Sequence, residues 1–311
     1  MKFTSRFRLA TAMALALGLG TAAQAADGQG KPELIRHRPN DQGQAGNGYN
    51  PTFGSTTPLG SRQKLSYHGG PVFGTPSVYV IWYGNWAQSN GTDNAGGQQI
   101  LRDFFSAIGG SPYFKINATY LGSATAITGN VTWTGKEATT AYTYGTSLTD
   151  ANIQSIVADA INSAALPADA NGIYFVMTSS DVNASSGFCT QYCGWHTHGT
   201  INGQSLAYAF IGNAARCITS CAAQSTSPNG NPGVDGMVSV TAHELEEATT
   251  DTNAGWYARS GSENGDDCAW TFGATYAVSN GSYANMKLGT RDFLIQRNVK
   301  MESTGQYCEL Q

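Results

Sequence analysis

Apolar residues recur along this chain with two different periods, and the two alternate. Ser77-Val78-Tyr79-Val80-Ile81-Trp82-Tyr83 is a nearly unbroken β-branched and aromatic run between Pro76 and Gly84. It predicts a strand buried on both faces. Ile173 to Met177 follows an Asn171-Gly172 turn and predicts a second such strand; Leu206 to Ile211 predicts a third. Val131-Thr132-Trp133 is a short strand candidate. Between these runs the spacing changes to three and four. Ile100, Leu101, Phe104, Phe105 and Ile108 fall on one side of a helix predicted over Gly97 to Ile108. Thr149 or Asp150 caps a second helix carrying Ile153, Ile156, Val157, Ala160 and Ile161. A Pro/Gly/Asn-rich loop, Ser227 to Gly233, leads into a third helix through Val234, Met237, Val238, Val240 and Leu245. Beyond it come short strands and turns, including Asn280-Gly281. Strands alternating with helices, then an irregular Gly-rich C-terminal part, predict one α/β domain with a mixed sheet over residues 67–311.

The ends of the chain follow other rules. Lys2, Arg6 and Arg8, the apolar run Leu9 to Thr21, and Ala23-Gln24-Ala25 form the pattern of a secretory signal peptide over 1–25, cleaved near Ala25. Residues 26–66 are rich in Gly, Pro, Asn and Gln and read as a flexible leader or an extended wrap. The segment Leu9 to Thr21 is too short for a permanent span, so the expectation is a secreted or periplasmic protein without a membrane span. Losing three basic residues takes the formal charge from −4 to −7. Such a chain has no electrostatic case for binding nucleic acid. Neither a G-x-S-x-G nucleophile elbow nor a phosphate-binding G-x-x-x-x-G-K-[ST] loop occurs.

Only 12% of the residues are charged, yet His243-Glu244-Leu245-Glu246-Glu247 holds three acids and a histidine in five positions. On a helix His243 and Glu247 leave the same face one turn apart. An imidazole nitrogen and a carboxylate oxygen can then converge on one metal ion. This is the H-E-x-x-H metalloprotease layout with Glu in place of the second His, and Glu244 stands where a general base acts on water. Burying several acids costs several kcal/mol each without a partner, and a dication is an effective one. A catalytic site needs a third protein ligand. Asp266 is the expected one, two residues from Cys268; Glu263 and Asp251 are rivals, and so is His196, which with His198 is read as lying on an earlier loop. His196 and His198 could instead contact substrate or an oxyanion, as could Trp256 and Tyr257.

Six cysteines, Cys189, Cys193, Cys217, Cys221, Cys268 and Cys308, suit an exported protein and allow 15 pairings. The expected set is Cys189–Cys193, Cys217–Cys221 and Cys268–Cys308. The alternative is a zinc knuckle built from Cys189, Cys193, His196 and His198.

Several segments carry a family resemblance. Tyr67-His68-Gly69-Gly70-Pro71, Val80-Ile81-Trp82-Tyr83-Gly84, Gly187-Phe188-Cys189 with Cys193-Gly194 and His196, Cys217 with Cys221, and Gly233-Val234-Asp235-Gly236-Met237 resemble the plant EXORDIUM or phosphate-induced protein family. The matches run from about residue 65 to 308. The resemblance implies an extracellular, wall-associated protein linked to growth responses, with no established reaction, and it agrees with the cysteine pairs above. Plant members carry small or apolar residues where this chain has His243, Glu244 and Glu247. His243-Glu244-x-x-Glu247-Ala248-x-Thr250-Asp251, with Trp256-Tyr257 and Gly265-Asp266-x-Cys268, is instead similar to microbial secreted proteins suspected to be metallopeptidases; Thr252 stands where that pattern often has Pro. The combination implies a bacterial secreted branch with a metal site.

The expectation is therefore a secreted zinc-dependent hydrolase, a peptidase acting on an extracellular polypeptide or cell-wall substrate. The motif helix is expected to pack under the sheet, zincin-like, with the C-terminal part as the other wall of a cleft. Zn²⁺ is held by His243, Glu247 and Asp266, and Glu244 is the general base. The alternative is a non-catalytic extracellular or cell-wall binding protein with a structural ion. Ca²⁺ is then the alternative cation, although calcium prefers oxygens and His243 favours zinc.

Overall fold

The computed structural model describes residues 33–36, 59–60 and 64–311. The signal peptide expected over 1–25 and most of the leader expected over 26–66 lie outside the described residues.

A six-stranded mixed sheet organises the chain. Across the sheet the strands are Glu33–Arg36, Tyr192–Ile201, Gln204–Ile211, Gly172–Thr178, Ser77–Tyr83 and Thr132–Thr140. The last four run parallel to one another. Tyr192–Ile201 runs antiparallel to Gln204–Ile211, and Glu33–Arg36 is antiparallel to it in turn. The central strands Ser77–Tyr83 and Gly172–Thr178 are buried almost throughout. Their unbroken apolar runs follow from helices covering both faces.

Register shows which helix lies where. Val80 pairs with Phe175, and Ile81 with Val176. Phe105, on the helix Ala95–Ile108, meets Phe175 with ring centroids 5.3 Å apart. Ile81 points to the opposite face and lines a cavity with Ile156 and Ala160 of the helix Asp150–Asn162. The motif helix, Pro232–Thr250, packs against Ala95–Ile108 and the strand Tyr192–Ile201, so it shares the Phe175 face. No described helix is long and apolar enough to cross a membrane.

Each of the three long helices starts at a side-chain cap. Asn94 accepts from the Gly97 amide, and Asn231 accepts from the Val234 amide with Pro232 in the first turn. Thr149 and Asn152 form a reciprocal capping box. Two strands differ from the sequence reading. The short candidate at Val131–Trp133 is a nine-residue edge strand, Thr132–Thr140, whose mostly polar positions conceal it. The segment around His196 and His198 is not a loop but the strand Tyr192–Ile201, half of a hairpin closed at Asn202-Gly203. Both turn residues have positive φ, 52° and 78°, as a two-residue hairpin of the I′ kind requires.

The cysteine expectation needs two corrections. The bridges are Cys189–Cys217, Cys193–Cys221 and Cys268–Cys308. Only the third pair is the expected one. Cys217 caps the helical turn Ile218–Cys221, which places Cys221 one turn above it. Cβ atoms one turn apart lie about 5–6 Å from each other, beyond the roughly 3.5–4.5 Å a disulfide spans. Both cysteines instead reach sideways to the histidine strand and the turn before it. The zinc knuckle is excluded too, because Cys189 and Cys193 are oxidised and offer no thiolate.

The pairing is open to peptide mapping of the native protein under non-reducing conditions. Proteolysis between Thr190 and Tyr192 should leave cross-linked fragments joining Cys189 to Cys217 and Cys193 to Cys221. Recovery of Cys189–Cys193 within a single short peptide would contradict the fold.

Candidate metal centre

The motif helix carries its acids inward. His243, Glu244, Glu246 and Glu247 are all buried, with no more than 1% of their surface exposed. Small neighbours permit this. A Cβ on Gly265 would come within 2.8 Å of the His243 ring and 2.9 Å of Glu247 Oε1. A Cβ on Gly194 would come within 2.5 Å of Val240 and 3.4 Å of Glu244 Oε1. Any larger residue at either place would displace the helix or its side chains.

Two sets of donors meet at Glu247. His243 Nε2 lies 2.9 Å from Glu247 Oε1 and 3.8 Å from Asp266 Oδ1. His196 Nδ1 lies 3.1 Å from Glu244 Oε2 and 3.6 Å from Glu247 Oε2, and its Nε2 is 3.7 Å from Glu263 Oε2. Ligands on a tetrahedral zinc, bound at about 2.0–2.2 Å, stand about 3.4 Å apart. Both sets match that spacing, and in each set all three ligand atoms lie within 4.8 Å of one another.

The donors fit a cation better than they fit each other. Both ring nitrogens of His243 lack a hydrogen bond, as do the buried Glu244 Oε1 and Glu247 Oε2. His243 and Glu247 face each other without hydrogen-bond direction, as two ligands on one ion do. Among the described residues no lysine or arginine pairs with Glu244, Glu247 or Asp266. A buried carboxylate oxygen without partner costs about 1–3 kcal/mol or more. The imidazole and carboxylate donors suit Zn²⁺.

Without an ion, the groups take up protons. Burial opposes charge on His243, but Glu247 and then Glu244 and Asp266 outweigh it and raise it to about 9. Burial also opposes charge on His196, yet Glu263 and the Glu244 and Glu247 carboxylates push it well above the ordinary histidine range. Burial raises Asp266 to about 8, with the Glu247 charge adding to it. Burial raises Glu244 to about 7 against the pull of the His196 hydrogen bond. Glu247 alone goes down, to about 2, because the two imidazoles overcome its burial. Glu246 faces away from this group. Its Oε2 accepts from Asn298 Nδ2, and burial pushes it well above the usual carboxylate range.

The remaining candidates fall around a cavity of about 310 Å³. His196, His198, Asp251, Tyr257 and Glu263 line it together with Asn253. Asp251 follows the end of the helix, and its Oδ1 accepts from the Gly255 amide. It joins neither donor set. His198 is half-buried, two residues along the strand from His196, and burial lowers its pKa, with His196 adding to this. Tyr257 stacks on His68 with centroids 3.6 Å apart. Trp256 is packed inside against Tyr67 and Tyr120. The Asp266 turn is fixed by the bridge from Cys268 to Cys308 and by the Asp266 amide donating to Glu247 Oε1 at 3.0 Å. The sequence reading of His196 as a loop histidine missed its burial. The Asn202-Gly203 dipeptide, with runs on either side, was the available signal for its strand.

The family model described as "Phosphate-induced protein 1 conserved region" matches residues 65–286. Protein EXORDIUM-like 3 of Arabidopsis thaliana is 36% identical over 225 residues, 63% of this chain and 64% of that protein. Protein EXORDIUM-like 5 of the same plant is 32% identical over 245 residues, 68% of this chain and 65% of that protein. Protein PHOSPHATE-INDUCED 1 of Nicotiana tabacum is 30% identical over 233 residues, 63% of this chain and 67% of that protein. The chain thus spans just under two thirds of the length of the two Arabidopsis relatives. No solved structure matches. The matched span runs from the strand that pairs with Trp256 to beyond the Asp266 turn, and it includes the motif helix and both histidine-bearing elements; the chain belongs to the phosphate-induced protein 1 family.

Proposed function

We propose that this protein is a secreted zinc-dependent hydrolase of the phosphate-induced protein family, with peptide bonds in an extracellular polypeptide or wall-bound protein as its substrate. The observation that carries the reading is Glu244. It is fully buried, its Oε1 has no hydrogen-bond partner, and it stands beside the His243–Glu247 pair. His243, Glu247 and Asp266 would hold Zn²⁺, which supplies Lewis-acid polarisation of water and of a scissile carbonyl. Burial places Glu244 near neutrality, the range in which a carboxylate both takes and returns a proton at useful rates. Glu244 Oε1 would take the proton from water and deliver it to the leaving nitrogen. His198 and Tyr257, on the cavity wall, are placed to contact bound substrate. Three disulfides support an oxidising compartment.

One observation favours a second reading, a non-catalytic extracellular protein with a structural ion. Of the residues around the ion position, only Asp266 is more than marginally exposed, with 24% of its side-chain surface open. Closed sites are typical of structural zinc. The cavity that reaches His196 and Glu263 favours the hydrolase.

Glu244→Gln separates the two. In a hydrolase this variant should keep its fold and the zinc at His243 while losing roughly 10²-fold or more of casein hydrolysis, as expected for a removed general base. Glu247→Ala should lose metal and activity together. A zinc-loaded wild type that hydrolyses neither protein nor ester substrates would leave only the structural-ion reading.

The protonation pattern makes a separate prediction. His243 and Asp266 sit at about 9 and 8 without metal, and zinc needs both deprotonated. Zinc uptake should therefore release protons at pH 7, and affinity should rise as pH goes from 6 towards 9. Titration calorimetry in buffers of different ionisation enthalpy measures this directly. An affinity flat across that range would mean that the ion binds elsewhere.

A further inference from the structure

We propose a second divalent-cation position in the same centre, formed by His196, Glu244 and the Oε2 atom of Glu247. The starting point is that, among the described residues, no group of three ligands with atoms close enough to share an ion contains both His196 and His243. One ion cannot use both imidazoles. Each instead has its own carboxylates, Glu247 and Asp266 for His243, Glu244 and Glu247 for His196.

Glu247 is shared, but by different atoms. Its Oε1 faces His243 and accepts from the Asp266 amide. Its Oε2 faces His196 at 3.6 Å, fully buried and with no hydrogen bond. That is the disposition of a bridging carboxylate between ions about 3.5–4 Å apart. His196 is prepared for the role. Its Nδ1 faces Glu244 and Glu247, and its Nε2 lies on the other side of the ring, 3.7 Å from Glu263 Oε2, so binding through Nδ1 leaves the second nitrogen beside a carboxylate.

A plain ion pair between His196 and Glu244 does not account for these facts. It would leave Glu247 Oε2 buried without a hydrogen bond, as it is now. Charge leads to the same place. Ligating imidazoles are neutral, so Glu244, Glu247, Glu263 and Asp266 around the two histidines together carry four negative charges when ionised. Two dications balance them.

The two positions are chemically unequal. Filling the second engages Glu244, the group assigned above as general base. In that respect the inference rests on the hydrolase reading: zinc beyond one equivalent occupies the base and inhibits. The metal position itself stands on geometry alone.

The test uses the full secreted protein, disulfides intact, stripped with chelator and titrated with zinc chloride under equilibrium dialysis. Wild type should bind two zinc ions per chain in two steps, and His196→Ala should bind one. Where hydrolysis is measurable, wild-type turnover should fall several-fold over the range in which the second step fills. Wild type saturating at one ion, with His196→Ala unchanged, overturns the second position and leaves the first intact. One ion in wild type and none in His196→Ala overturns the His243 assignment instead. Two ions retained in His196→Ala also overturns the second position, whereas turnover flat across the second step overturns only the inhibition assigned to it. Should the alanine variant fail to fold, His196→Gln and the wild-type stoichiometry decide the same question.

Discussion

The acids of one helix must be buried without being left as bare charges, and much of this molecule is arranged around that constraint. Glu244, Glu246 and Glu247 sit at full burial in the middle of Pro232–Thr250. Isolated, each would cost several kcal/mol. The fold answers differently on the two sides of the helix. Glu246 meets the amide of Asn298 and is favoured in its neutral form. Glu247 meets two imidazoles and stays ionised. Glu244 falls between, held by one hydrogen bond from His196 and left with a free oxygen. That intermediate position is what suits it to the general-base role proposed for it.

Backbone features hold these partners in place. The hairpin turning at Asn202-Gly203 carries His196 to the helix, and two disulfides fasten that hairpin to the short turn at Ile218–Cys221. The bridge from Cys268 to Cys308 holds the Asp266 turn against the C-terminal hairpin, where Cys308 pairs with Val299. Gly265 and Gly194 allow backbone to approach where a methyl group would collide. A site built this way is rigid. The donors that would hold an ion are constrained by covalent bridges and close packing, so little order would have to be created on binding.

Family membership and site chemistry contribute different things. The family model matches residues 65–286, which include five of the six strands of the main sheet and the motif helix, and the relatives' names specify no reaction. The case for metal rests on this chain's own donors and on the polar atoms they leave unmatched. A scaffold shared across a family can carry a metal centre wherever four or five inward-facing positions become His, Glu or Asp, because the helix and hairpin already bring those positions together.

Local sequence determined the central strands, the three long helices and the cap at Thr149, because each depends on period and on neighbours a few residues away. The spacing of His243 and Glu247 fixed their common face for the same reason. It did not reveal the polar edge strand Thr132–Thr140, which hydrogen-bonds to one neighbour and buries little, so no apolar pattern marks it. Nor did it fix the disulfide pairing of Cys189, Cys193, Cys217 and Cys221, since the 28-residue closures are set by where the hairpin lies. Above all it left His196 without a place. His196 and Glu244 are 48 residues apart in the chain and 3.1 Å apart in space. Only the pairing of two strands and their packing on the helix bring them together, and that depends on burying a whole sheet face.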